Sequence, residues 1–171
     1  AGFRSGHSTL DSIRAIHLIT EKYIKRKRMP VYMAFIDFFL TDFDRVDRHI
    51  FWKKLSAMGN PLGLLRLIIA LYTDTWCHIM LGGKRGMASK ISTKNGLEQG
   101  YLLASLLFSL YVADLPAVMS EVEGYAPKLG PYSLGTLLYA DDIILLDLTP
   151  KALQRHLDVL LTFSNAHFLR V

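Results

Sequence analysis

The chain has 171 residues, is 51% hydrophobic and 20% charged, and carries a net charge of +5. That length supports one domain with its own core, and the composition excludes a disordered tail. The single cysteine, Cys77, excludes a disulfide framework or a cysteine-based zinc site, and no histidine pair has the H-E-x-x-H spacing.

The charge excess is confined to one end. Residues 1–30 hold seven Lys/Arg against two acids, whereas 31–171 hold thirteen of each. Ser8 and Asp11 are spaced as a capping box, and Leu10, Ile13, Ile16 and Ile24 follow at helical spacing. A helix is therefore expected there, ending before Pro30. Its last part is "KYIKRKR" (22–28). Lys25, Arg26, Lys27 and Arg28 suit a polyanion such as nucleic acid. Cations also favour a helix C-terminus, so a solvated helix end is the alternative.

"VYMAFI" (31–36) is a short apolar run rich in strand formers and reads as a buried strand with Asp37 at its end. Asp47 can cap a helix carrying Ile50, Phe51, Leu55 and Met58, stopped by "GNP" (59–61). Asn60 is expected to cap the next helix, with Pro61 at its first position. Residues 76–97 lack helical periodicity and carry glycines at 82, 83, 86 and 96, so they read as hairpin strands. "GGKRG" (82–86) lacks phosphate-loop spacing and reads as a hairpin turn. Residues 102–115 are apolar nearly all round, the pattern of a central helix that Pro116 ends or kinks. The uncharged stretch 99–113 is short of the ~20 apolar residues a bilayer needs, and no signal peptide is visible.

"SLGTLLYADDIILLD" (133–147) reads as strand, tight turn, strand. Thr149 caps and Pro150 opens a last helix, with Leu153, Leu157, Leu160 and Leu161 on its inner face. The order predicts an α+β fold: a small antiparallel sheet with helices on one face. The start at Ala1 and the abrupt end at "FLRV" suggest a piece of a longer protein.

Asp141 and Asp142 fall at the second hairpin's tip, and a turn that happens to use Asp-Asp is one reading. Two ionised carboxylates at ~5 Å repel by about 3 kcal/mol at an effective dielectric of ~20. A divalent cation reverses that sign, and Mg²⁺ takes one or two carboxylates plus substrate phosphates. If the 31–36 strand lies beside the hairpin, Asp37 converges on the same place. Such carboxylates can hold two metals ~3.5–4 Å apart for phosphoryl transfer. Turn and cap aspartates are the alternative, and a metal-dependent nuclease would use the same acids.

Four stretches, in order, resemble the reverse transcriptase domain of non-LTR (LINE-type) retrotransposons. They are "AGFRSGHSTLD" (1–11), "FID…FDRVD" (35–47), "GLEQGYLLASLLFSLYVADLP" (96–116) and "YADD" (139–142). The last three are similar to motifs A, B and C of that family. The resemblance implies a palm-type polymerase, with residues 1–30 as a fingers–palm junction, 31–171 as the palm, and no thumb. It implies that Asp37, Asp141 and Asp142 hold two Mg²⁺, or Mn²⁺, ions. It implies that Gln99 and Gly100 seat the nucleotide and template, and that Phe43 screens the ribose. Implied partners are an RNA template, a DNA primer and deoxynucleoside triphosphates, without a membrane. Fingers, thumb and endonuclease regions would belong to a longer polyprotein, and the nucleus is an expectation by analogy alone.

Three departures accompany the resemblance. Six residues separate Asp37 from Asp44, one more than the family's usual spacing, which predicts a bulge in 38–43. Glu98 stands where the family usually has arginine. Tyr101 and Ser105 replace the usual cysteine and proline. These features support a second reading: a degenerate, non-catalytic domain that at most binds nucleic acid.

Overall fold

The computed structural model of the chain describes residues 6, 8–37, 42–77, 80–81, 84–85, 91–98, 101–122, 124–139 and 141–169. In chain order, α1 (Thr9–Ile19) continues as a π-helical segment (Thr20–Arg26) and turns into β1 (Tyr32–Asp37). Then follow α2 (Asp42–Arg45), α3 (Arg48–Ala57) and α4 (Leu62–Thr73). Four two-residue strands come next: β2 (Trp76–Cys77), β3 (Met80–Leu81), β4 (Lys84–Arg85) and β5 (Ile91–Ser92). The chain continues through α5 (Leu102–Tyr111), α6 (Leu115–Ser120), β6 (Lys128–Leu129) and β7 (Tyr132–Ser133). It ends with β8 (Thr136–Tyr139), β9 (Asp142–Asp147) and α7 (Pro150–Ala166).

Local signals set most boundaries. Ser8 Oγ accepts from the Leu10 amide, and the Ser8 amide donates to Asp11 Oδ2, so the capping box is formed. Asp47 accepts from the Ile50 amide and Thr149 from the Ala152 amide, each opening its helix. Asn60 behaves differently from expectation. Its amide donates to the Leu55 carbonyl, satisfying the C-terminal end of α3, and α4 starts without a side-chain cap. Pro116 also differs: the helix has already ended at Tyr111, and Pro116 lies in the first turn of α6. Proline is well placed there because its missing amide has no helical partner. The apolar window Leu103–Ser120 could span a bilayer by length and composition, but the turn at 112–114 interrupts it. Ala104, Leu107, Phe108 and Tyr111 of this stretch are core residues.

The central sheet has three antiparallel strands in the order β1–β9–β8. One face, with Ala34, Ile36, Leu138, Ile143 and Leu145, packs into the main core formed with α3, α5 and α7. The other face, with Met33, Leu137, Ile144 and Leu146, packs against Ile19 and Tyr23. Helices therefore cover both faces, which corrects the expected one-sided cover. The reason is in the strands: "VYMAFI" and "IILL" are apolar at every position, and only cover on both sides buries them.

On the inner face of α7, Leu160 is buried, but Leu161 is 54% exposed and His156 takes an inner position instead. His156 Nδ1 lies 3.7 Å from Oδ2 of the fully buried Asp147, whose Oδ1 accepts from the Thr149 amide. Gly124 closes over this pair, since an added Cβ there would lie 2.6 Å from Asp147 Oδ2.

Candidate active site

Asp37 is the last residue of β1 and Asp142 the first of β9. The antiparallel register sets them directly opposite each other, with Tyr139 of β8 opposite Asp142 on the other side. Opposed residues project from the same sheet face with Cβ atoms about 4.5–5.5 Å apart. Asp141 lies in a turn, and Asp142 already belongs to the strand.

The electrostatics agree with crowding. The Asp142 carboxyl is held above its ordinary range, first by burial, then by the charges of Asp141 and Asp37. Asp37 and Asp142 are both exposed at the sheet end, where a cleft of about 340 Å³ opens between α1 and the sheet. Thr9 and Ser12 of α1 line it opposite Phe35, Asp37, Tyr139 and Asp142. Phe35, on the same face as Asp37, is 70% exposed, so the cover supplied by α1 stops short of the carboxylates.

Three hard oxygen donors at one edge suit Mg²⁺ or Mn²⁺ better than a soft metal. Among the described residues, no three His, Cys, Asp or Glu side chains are already gathered tightly enough to hold an ion.

The other sequence-derived candidates lie elsewhere. Phe43 is half-buried, its ring stacked on Phe108 at 4.3 Å and 20° at the edge of the main core. Gln99, Gly100 and most of the bulge expected in 38–43 lie outside the described residues. Lys25, Arg26, Lys27 and Arg28 sit before the start of β1, roughly 17 Å of strand from Asp37. Lys25 pairs with Glu21 at 2.6 Å, and Arg28 turns the chain with φ 55.

Sequence reading missed the parts that hold the segment before Gln99. Gly96 has φ +87, and an added Cβ would lie 2.7 Å from Asp44 Cα. The Gly96 amide donates to the Val46 carbonyl at 2.9 Å and the Leu97 amide to the Phe43 carbonyl at 2.6 Å. Buried Arg48 donates to the carbonyls of Gly96 (2.7 Å), Tyr72 (2.9 Å) and Thr93 (2.8 Å), and to Thr75 Oγ1 (3.0 Å). Its guanidinium lies 5.0 Å from the Tyr72 ring centroid. Burial lowers the Arg48 pKa, and the Glu98 carboxylate opposes that shift. A charged residue directly after an aspartate cap was the available signal for Arg48, but sequence alone gives no partner for it.

Comparison with known proteins bears on the same segments. The pattern of the family described as "Reverse transcriptase (RNA-dependent DNA polymerase)" matches residues 1–171. A relative from Popillia japonica, "Retrovirus-related Pol polyprotein from type-1 retrotransposable element R2", is 26% identical over 132 residues, covering 76% of this chain and 22% of the relative. A protein of the same name from Nasonia vitripennis is 28% identical over 137 residues, covering 78% of this chain and 13% of its own length. The chain thus spans about a fifth or less of these relatives.

Proposed function

The chain belongs to the reverse transcriptase (RNA-dependent DNA polymerase) family, and from that premise we propose that it is the palm of an RNA-directed DNA polymerase whose carboxylate edge is the catalytic centre. Residues 1–30 would be the fingers–palm junction and 31–171 the palm. The observation that carries this reading is the register Asp37↔Asp142, with Asp141 in the adjoining turn.

In the proposed reaction a primer 3′-hydroxyl attacks the α-phosphate of a deoxynucleoside triphosphate and diphosphate leaves. A pair of bound divalent cations would lower the hydroxyl's pKa and stabilise the leaving oxygen. The chain's own contribution is placement. Asp37, Asp141 and Asp142 would bind the ions, and a sheet packed on both faces fixes their backbone positions. The segment locked by Arg48 and Gly96 would deliver Gln99 and Gly100 to the nucleotide and template. Lys25, Arg26, Lys27 and Arg28 would contact phosphates of the RNA template and DNA primer, a salt-sensitive contribution.

Primer extension on an RNA template with Mg²⁺ tests the reading, with this segment grafted between the fingers and thumb of an active relative. Extension that disappears with Asp141→Asn supports it; no extension from a folded graft contradicts it. Glu98 and the extra residue before Asp44 favour a second reading, a domain without catalysis that binds nucleic acid. In that case activity returns after deletion of one residue in 38–43 together with Glu98→Arg.

A further inference from the structure

The packing of the main core leaves a leucine face uncovered on α4 and α5. On α4, Leu64, Leu67, Ile68 and Leu71 follow one another at i, i+3, i+4 and i+7. On α5, Leu103, Leu106, Leu107 and Leu110 repeat the same spacing. The two stripes line a shared groove of about 180 Å³, floored by buried Leu55 and Leu65. Asn60 is its one polar side chain besides the leucine and isoleucine walls, and the Asn60 amide already donates to the Leu55 carbonyl. None of these residues lines the carboxylate cleft.

The face is larger than scattered exposure explains. Leu62, Leu64, Leu67, Leu71, Leu103 and Leu106 are each 38–66% exposed. Together they leave roughly 500 Å² of apolar surface on one side of the molecule, the upper end of what a monomer keeps open. Two copies meeting there cover roughly 1,000 Å² before any rim is counted, which reaches the size of a specific interface. Composition points the same way. Arg66 is the one charged residue in 62–73 and 101–111, the charge-poor character of a homodimer interface centre, with no complementary charge for an acidic or basic partner. One turn of a helix occupies roughly 400 Å³, so the groove takes side-chain knobs and not a whole helix. The same face carries such knobs in Leu62 and Leu67, the most exposed of the six. Groove and ridge on one surface are what an isologous contact requires.

We propose that the α4–α5 face is a self-association surface, on which two copies of this chain meet about a two-fold axis, the α4 leucine ridge of each seated in the α4–α5 groove of the other. The inference stands apart from the polymerase reading, since neither the carboxylates nor nucleic acid takes part in the contact.

Sedimentation equilibrium on the 171-residue chain, with metal chelated and nucleic acid absent, tests this. A discrete monomer–dimer equilibrium is expected at micromolar concentration. Leu67→Glu buries a carboxylate at the contact and weakens the dimer by about 100-fold or more, and Leu67→Ala with Leu106→Ala, which adds no charge, weakens it by about tenfold. Leu161→Glu is the matched control: Leu161 is 54% exposed against 59% for Leu67 but lies on α7, outside the groove, and its variant dimerises like wild type. Circular dichroism checks that each variant is folded, and the alanine pair decides if Leu67→Glu is not. A chain that stays monomeric up to about 100 µM overturns the proposal. So does a series of aggregates without a discrete dimer, a folded alanine pair that dimerises within about twofold of wild type, or a Leu161→Glu protein as impaired as Leu67→Glu.

Discussion

Asp142→Asn raises the thermal stability of the metal-free protein. Asp142 faces Asp37 across the sheet and follows Asp141 in the chain; burial first, and then both charges, push its carboxyl pKa up. At ~5 Å, one such pair repels by ~3 kcal/mol at an effective dielectric of 20 and by ~0.8 kcal/mol in bulk water. Asp37 and Asp142 are exposed, so the lower figure is the better guide: about 1 kcal/mol per neighbour, about 2 kcal/mol for both. In a domain of this size that corresponds to about 4–8 °C in Tm. The sign follows from linkage. A carboxyl with a raised folded pKa makes the folded state hold its proton longer than the unfolded state. Stability therefore falls as pH rises through the unfolded and then the folded pKa, and the loss is complete at neutral pH. The asparagine variant escapes it and converges with wild type at acid pH. Thermal melts in chelator across this pH range measure the difference. Adding Mg²⁺ or Mn²⁺ then stabilises wild type and leaves the variant nearly unmoved. A variant Tm equal to or below wild type at neutral pH in chelator would refute the reasoning.

Gly96→Ala destabilises by more than about 3 kcal/mol, because positive φ is joined by a backbone clash with Asp44, whereas Gly59→Ala, with φ +78 and open space, costs about 1 kcal/mol. Equal costs in urea titrations would remove the special role of Gly96. Arg48→Met leaves the carbonyls of Gly96, Tyr72 and Thr93 without their donor and lowers stability by about 3–5 kcal/mol; a loss under about 1 kcal/mol contradicts the network. Tyr111 is pushed up to about 12 by burial, so its phenolate signal appears late in an alkaline titration. The folded state then holds the phenol proton that the unfolded state has lost, and stability falls as pH rises above the usual tyrosine range. Tyr111→Phe removes its share of the late signal and of the slope, while Tyr72, also raised by burial, keeps its own; a late signal undiminished in the variant contradicts the assignment.

The elements whose signals are local were legible in the sequence. Caps at Ser8, Asp47 and Thr149 act through neighbouring amides, and the runs at 31–36 and 143–147 are too apolar to be anything but buried. Their pairing was legible because aspartates at the ends of two such runs have one natural meeting point. Long-range polar contacts were not. Arg48 and the Asp147–His156 pair look like ordinary surface residues until the fold supplies their partners. The second cover over the sheet was signalled by strands apolar on both faces, although the element order suggested one-sided packing. The stack of half-buried Phe43 on Phe108 was not legible either, because it is set by tertiary contacts.

The shared use of three acids by divalent cations is tested most directly by anomalous diffraction from crystals of this chain soaked in Mn²⁺, with a primer–template and an incoming nucleotide present. The account predicts ion density bonded to carboxylate oxygens of Asp37 and of Asp141 or Asp142, at about 2.0–2.2 Å. Ions bound only elsewhere, with Asp37 and Asp142 turned apart and solvated, would contradict it.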